Sequence, residues 1–410
     1  MKFSALAIAT FLAIPGALAD EVPAGALLLN VKRSEISLSE ESKLKRRDGN
    51  TALGNAIEDK INNKKFYYTT TVQIGTPAQD VELLLDTGSS DTWVFSPNSK
   101  YTGKQGGPKS FFDESKSTTW KGNNTNFHIT YGIGQVTGKW GTDNLSIGGA
   151  TINDLSIGIA DNTDSAQGIV GIGRPQAEIT SKAGNKYANL PLKLYENGHI
   201  SSPAFSLYLN DISSDSGSIL FGAVDHSKYS GKLVSMDVSH PVHYGTTLNN
   251  IRAQGIANSN ILNKPMTAIL DSGTTLSYLP NDALINLHTN LNANPSFTIN
   301  QRYYCDCNIT QYLQFDFQGQ SIKVPNYQFL WPIEQFVNPV VSSVAFPRNS
   351  CLVGFEATPQ GADYILLGDN VLRSAYIVYD PSHNKVALAQ ADFSKTKSEI
   401  ELIKKDIPSK

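Results

Sequence analysis

An eight-residue pattern occurs twice in this chain. Leu83-Leu84-Leu85-Asp86-Thr87-Gly88-Ser89-Ser90 returns as Ala268-Ile269-Leu270-Asp271-Ser272-Gly273-Thr274-Thr275, each copy being three apolar residues, then Asp, hydroxyl, Gly, hydroxyl, hydroxyl. Each copy has its own follower: Gly168-Ile169-Val170-Gly171 ends 85 residues after Asp86, and Ile365-Leu366-Leu367-Gly368 ends 97 residues after Asp271. Paired elements in the same order are the mark of a duplicated unit. Length agrees, because 410 residues exceed the ~250 to 300 that a single core supports. The sequence therefore predicts two related lobes, roughly 48–235 and 236–395.

From Tyr67 onward, short runs of β-branched, aromatic and aliphatic residues are punctuated by Gly, Asn, Asp and Pro. The run Tyr67-Tyr68-Thr69-Thr70-Thr71-Val72-Gln73-Ile74, stopped by Gly75-Thr76-Pro77, and the run Leu233-Val234-Ser235-Met236 are examples. Period-two runs broken by turn residues predict antiparallel sheet, so the fold class is all-β. Helices are expected to be few and short, at Leu190 to Asn197, Asp282 to Leu291 and Leu372 to Ala375. A charged fraction of only 17%, with 32 Gly and 19 Pro, excludes a coiled coil and a disordered chain. A net charge of -3 leaves no basic excess for a phosphate backbone, which argues against nucleic-acid binding.

Lys2, the apolar run Ala5 to Ile14 and Ala17-Leu18-Ala19 compose a secretory signal peptide over residues 1–19. Residues 20–47 read as a propeptide, with a strand-like Leu27-Leu28-Leu29-Asn30-Val31 and a dibasic Arg46-Arg47 offered to a processing protease. Residues 1–47 hold 7 basic and 5 acidic side chains, so the remainder carries a net -5. No later run approaches the ~20 apolar residues of a membrane span, and 396–410 reads as a polar tail. A secreted, monomeric product without a membrane anchor is expected, with an acidic vacuole as the alternative destination.

The chain has three cysteines, Cys305, Cys307 and Cys351, so export predicts one disulfide and one thiol left over. Cys305 and Cys307 are separated by one residue, so a bridge between them would be strained, which leaves one or the other to pair with Cys351. The seven His show no ligand spacing around these positions, and no metal or cofactor is expected. Asn123, Asn144 and Asn308 head glycosylation sequons.

One Asp-x-Gly is an ordinary turn. Two, each at the end of an apolar strand in a matching lobe, can bring their carboxyls into one cleft. Like charges roughly 3 Å apart at an effective dielectric of about 20 repel by on the order of 5 kcal/mol, so one group keeps its proton while the other ionises. Such a pair is an acid and a base facing one point, suited to driving a water onto a peptide carbonyl without a covalent intermediate. The aspartic-protease pair is the standard illustration of this effect. Ser89 and Thr274 are placed to donate to the ionised form.

At this point the sequence resembles a pepsin-family aspartic endopeptidase of the fungal secreted, candidapepsin-like branch. The resemblance rests on Asp86-Thr87-Gly88-Ser89-Ser90-Asp91-Thr92-Trp93, on Asp271-Ser272-Gly273-Thr274-Thr275, on the flap-like Ile129-Thr130-Tyr131-Gly132-Ile133-Gly134, and on Gly368 to Tyr376 with Val378-Tyr379-Asp380. It spans about residues 66 to 393. It implies a bilobal pepsin-like fold with the cleft between two antiparallel β lobes, Asp86 and Asp271 as catalytic residues, and protein or peptide substrates. Gly88, Gly273, Thr274, Tyr131 and Gly132 would contact substrate. Thr87, Ser89, Ser272 and Trp93 would support the site, Trp93 through a hydrogen bond to Tyr131. Read alone, Trp93 would be core and Tyr131 the packing of a hairpin tip. The resemblance also implies a Cys307–Cys351 disulfide, and a propeptide strand paired into the body with a basic residue, Lys32 or Lys43, neutralising the pair. Many relatives staple the loop after the tryptophan, whereas here Ser96 to Gly107 has no Cys. Leu84, Tyr131 and Phe111 or Phe112 are the apolar candidates for the cleft, and a preference for bulky apolar residues is expected.

Overall fold

The computed structural model describes residues 22–35 and 66–409, apart from 104–105, 133, 181–183, 258, 295–302, 336–345 and 396. The signal peptide, Lys43, the Arg46-Arg47 site and Ile133 lie outside these residues. The repeated apolar triplets become the same structure twice. Strand Gln79–Asp86 pairs antiparallel with Phe66–Ile74 and parallel with Ile169–Gly171, setting Leu85 opposite Val170 and Asp86 opposite Gly171. In the second half, Met266–Leu270 pairs antiparallel with Gly245–Ala253 and parallel with Tyr364–Leu367, setting Leu270 opposite Leu367. Each follower strand also pairs antiparallel with a strand just beyond its aspartate, Thr92–Tyr101 in one half and Ser277–Leu279 in the other. Leu83, Leu85, Val170, Ala268, Leu270, Ile365 and Leu367 are all buried, so both aspartates stand at the ends of strands fixed by core packing.

A further layer joins the halves. Phe205–Tyr208 pairs with Ser216–Phe221 on one side and with Ala375–Asp380 on the other. Lys385–Ala391 then pairs with both Ala375–Asp380 and Tyr229–Asp237. The expected boundary at 235/236 thus falls inside a strand of the shared layer. Leu27–Glu35 enters the same layer between Ser216–Phe221 and Phe66–Ile74. Its alternation buries Leu29 and Val31 and turns Asn30 and Lys32 outward. Burying two such side chains contributes about 2 kcal/mol apiece.

Several expectations need correction. The stretch expected as a polar tail is docked in part: Ile400–Leu402 pairs with Ala223–Asp225, and Ile403 is 1% exposed. The apolar Ile400, Leu402 and Ile403 among charged neighbours are what dock it. Helices form at Leu190–Glu196 and Asn281–Asn290, but the third lies upstream of its expected place, at Asp369–Leu372. There Leu372 N–H donates to the Gly368 carbonyl, and Ala375 already pairs in a strand with Gln390. The loop after Trp93 continues as strand to Tyr101 and is held by hydroxyls, Ser99 Oγ donating to the Ala160 carbonyl and accepting from Ser96 N–H. Cys307 and Cys351 form the disulfide, leaving Cys305 buried and reduced. Among the described residues no helix is long and apolar enough to cross a membrane.

Candidate active site

Each aspartate begins a turn whose backbone is aimed back at its own carboxyl. Gly88 N–H donates to Asp86 Oδ1 at 2.7 Å and Ser89 Oγ to Asp86 Oδ2 at 2.5 Å, while Gly273 N–H donates to Asp271 Oδ1 at 2.8 Å. The glycines are also where the halves meet. A Cβ on Gly88 would lie 2.4 Å from Asp271 Oδ1, and one on Gly273 would lie 2.4 Å from Asp86 Oδ1. Each carboxyl therefore rests over the other half's glycine, and any side chain there would push the two apart.

Thr87 and Ser272 lock this approach. Thr87 Oγ1 donates to the Leu270 carbonyl at 2.9 Å and accepts from Ser272 N–H at 2.9 Å. Ser272 Oγ reciprocates, donating to the Leu85 carbonyl at 3.0 Å and accepting from Thr87 N–H at 3.2 Å. All four bonds are buried and cross between the halves, each contributing about 1 kcal/mol. Thr274 follows on the second turn, its carbonyl accepting from Asp369 N–H.

Burial, and next the charge of Asp86, push Asp271 well above the usual carboxylate range. Behind them Asp369 is fully buried, and burial raises it strongly against the pull of Arg373. A neutral carboxyl beside an ionisable one, in a site formed by reciprocal turns, can hold a water and supply both a base and an acid to a bound carbonyl.

A hairpin of Lys121–Thr130 and Gln135–Ile147 carries Tyr131 just after its first strand. Trp93 Nε1 donates to Tyr131 Oη at 2.8 Å, as the resemblance implied. Burial, then the Asp86 charge, raise the Tyr131 hydroxyl far above its ordinary value, which keeps its proton available for donation. Leu84 and Tyr131 pack on the cluster of Trp93, Phe95, Phe127 and Trp140. Gly132 is exposed at the tip, where a Cβ would meet nothing. Phe112 is core, being fully buried beside Trp120, whereas Phe111 is 42% exposed with its ring set edge-on to Phe95.

Lys32 faces outward from its strand, and the adjacent Arg33 is the anchored base, bonded to the Ile212 carbonyl and paired with Asp215. Asn123 and Asn308 are exposed and Asn144 is half-buried. The sequence reading missed three supporting side chains. Asp91 is buried and accepts from Tyr187 Oη at 2.7 Å and Ile179 N–H at 2.9 Å. Glu178 accepts from Tyr187 N–H. Arg174 reaches from the first half to the His240 carbonyl and to Asn384 Oδ1. Asp91 stood inside the quoted motif and was legible there; the other two carry no local pattern.

The fold and this site define a bilobal protein with one aspartyl turn from each half. Residues 67–391 match the family described as eukaryotic aspartyl protease. "Aspartic proteinase yapsin-3" of Saccharomyces cerevisiae is 36% identical over 372 residues, 85% of this chain and 70% of that protein. "Acid protease" of Saccharomycopsis fibuligera is 36% identical over 359 residues, 85% of this chain and 87% of that one. "Secreted aspartic protease 9" of Candida albicans is 38% identical over 307 residues, 71% of this chain and 54% of that protein. The crystal structure of an aspartic proteinase from Irpex lacteus superposes with a TM-score of 0.66 at 24% identity, covering 81% of this chain and 96% of that one, a likeness of fold. The chain belongs to the eukaryotic aspartyl protease family and is an aspartic-type endopeptidase.

Proposed function

We propose that the chain is a secreted endopeptidase that works in acid, with Asp86 and Asp271 as its catalytic residues. The single observation that carries this reading is the reciprocal seating of each carboxyl on the other half's glycine. With Asp271 protonated and Asp86 ionised, Asp86 takes a proton from a water held between them as the water attacks the peptide carbonyl, and Asp271 gives its proton to the carbonyl oxygen. Tyr131, held by Trp93, closes over the substrate and excludes solvent. Leu84, Tyr131 and the exposed Phe111 offer apolar surface, which supports a preference for bulky apolar residues around the cut.

Secretion rests on the leader-like residues 1–19 and is supported by the Candida relative whose name calls it secreted. The Leu27–Glu35 strand, paired into the shared layer, supports a zymogen released by cleavage after Arg47. Glycans at Asn123 and Asn308 fit their exposure. Cleavage of fluorogenic peptides between about pH 3 and 7 tests the chemistry, with Asp86→Asn expected to lower kcat at least ~10²-fold. Retained activity in that variant overturns the assignment. Fractionating supernatant from cells distinguishes export from vacuolar delivery.

A further inference from the structure

Arg174 makes a second junction between the halves, apart from the reciprocal Thr87 and Ser272 bonds. On its own side it is joined to the Asp86 turn through the backbone. Gly171 stands opposite Asp86, Ile172 N–H donates to the Asp86 carbonyl at 2.8 Å, and Gly173 N–H donates to the Ser89 carbonyl at 2.7 Å. The Arg174 carbonyl then accepts from Ser90 Oγ at 2.6 Å. Pro175 follows and keeps Arg174 in extended backbone, at φ -73° and ψ 142°. The buried side chain crosses to the second half, where Nη1 donates to the His240 carbonyl at 2.8 Å and Nη2 to Asn384 Oδ1 at 2.5 Å. Both acceptors are neutral oxygens, so what the planar fork supplies here is direction.

The receiving residues lead to the other aspartate. Val238 N–H donates to the Asn384 carbonyl at 3.0 Å, which ties the loop carrying His240 to the turn before Lys385–Ala391. Asn384 sits at φ +58°, the left-handed region that Asn tolerates. The His240 loop is closed on itself, Ser239 N–H donating to the Gly245 carbonyl at 2.8 Å and His240 Nδ1 accepting from the N–H groups of Val242 and His243. It ends at Tyr244, whose carbonyl accepts from Leu270 N–H at 2.9 Å, one residue before Asp271. A continuous run of bonds thus passes from the Asp86 turn through the guanidinium to the strand that presents Asp271. Bonds clustered at one place resist separation better than tilt, and a second junction displaced from the first resists tilt. We propose that Arg174 is a positioning residue for the aspartate pair: its fork fixes the angle of one catalytic turn against the other. This deepens the proposed function and rests on it.

The test compares wild type with Arg174→Met, Arg174→Lys and Asn384→Gly, the last keeping the left-handed turn while removing the acceptor. Cleavage of a fluorogenic peptide in acid is expressed per folded molecule, the folded fraction being read by circular dichroism. Arg174→Met is expected to lower kcat about tenfold, with KM within about twofold of wild type. Arg174→Lys, which can reach one of the two oxygens, should fall between the two, as should Asn384→Gly, and adding Asn384→Gly to Arg174→Met should cost nothing more. An unchanged kcat per folded molecule in Arg174→Met would mean that the residue only stabilises the fold, and overturns the proposal; a rise in KM alone overturns it too. Hydrogen exchange needs no activity. The Val238 and Leu270 amides should exchange at least about threefold faster in Arg174→Met, while the Leu84 amide, bonded to the Gly168 carbonyl within the first half, keeps its rate. Equal protection of Val238 and Leu270 in the two proteins overturns the proposal as well, and Asn384→Gly decides both measurements should Arg174→Met not fold. A wild-type protein that cleaves nothing, with the selective loss of protection still seen, sinks the protease reading and leaves the junction standing.

Discussion

Gly88 shows how little room one residue has at the junction. A methyl group there would need the space that Asp271 occupies, its centre falling 2.4, 2.5 and 2.7 Å from the three carboxyl atoms. Gly88→Ala is therefore expected to abolish detectable peptide cleavage and to lower the melting temperature, as the carboxyl and the turn move apart. Wild-type turnover in that variant would contradict the described approach. Tyr131 is a milder case. Its ring rests on the Trp93 cluster whether or not it has a hydroxyl, so Tyr131→Phe should fold normally while losing the acceptor for Trp93 Nε1. A buried indole N–H without a partner costs about 1 to 3 kcal/mol, and kcat should fall roughly tenfold as the hairpin loses its fixed position. Trp93→Phe, which removes the donor, should give a similar loss, and a double variant no worse than either single one would show that both act through the same bond.

Among elements, the staple and the docked C-terminal strand lend themselves to measurement. The Cys307–Cys351 bridge closes a separation of 44 residues, so replacing both by Ser should cost about 4 kcal/mol in the unfolded-chain picture. Denaturant midpoints would show it. Cys305 complicates that experiment, because it lies directly opposite Cys351 in the strand pairing, and the double variant is best made with Cys305 also replaced. The strand Ile400–Leu402 is secured by Glu399 N–H on Asp225 Oδ1 and by His226 Nε2 on Glu401 Oε2 at 2.7 Å. Truncation after Lys395 would expose the patch around Val224 and Tyr229 that Ile403 covers, and a lower melting temperature with unchanged KM is expected. Neither element was equally readable beforehand. The duplicated Asp turns were legible because burial and chemistry both impose residue types at fixed spacing. The docked tail was not, because three apolar residues in a charged stretch satisfy no periodicity. The same limit hid Glu178 and Arg174, which act through partners away from them in sequence and leave no local trace.

At the scale of the whole molecule, buried carboxyls set how stability depends on pH. Burial raises Asp91, Asp271 and Asp369, and it raises Glu178 to about 7. A carboxyl raised in the folded state binds more protons than it does unfolded. Its contribution is complete below its ordinary value near 4 and disappears as pH rises through the raised one. Burial acts oppositely on His240 and His288, lowered to about 4, whose contribution is complete above about 6.5 and is lost as pH falls toward 4. Glu178→Gln should remove the part of the decline that its carboxyl contributes from about pH 4.5 up to about 7, and with the lowered histidines already neutral the wild-type melting temperature should fall from about pH 6.5 to 8 as the raised carboxyls ionise. A melting temperature that climbs through that interval would contradict this balance. Two lobes could be read from the repeat and an all-β class from the period-two runs, but the layer that joins the lobes could not, since its strands come from both halves and pair at a distance. Leu27–Glu35 lies between two neighbours in that layer, bonded on both edges. Scission of the backbone and physical departure of the leader are consequently separate events: a molecule nicked between residues 35 and 66 would travel as one particle under native conditions, and would resolve into two fragments only once the layer itself was melted.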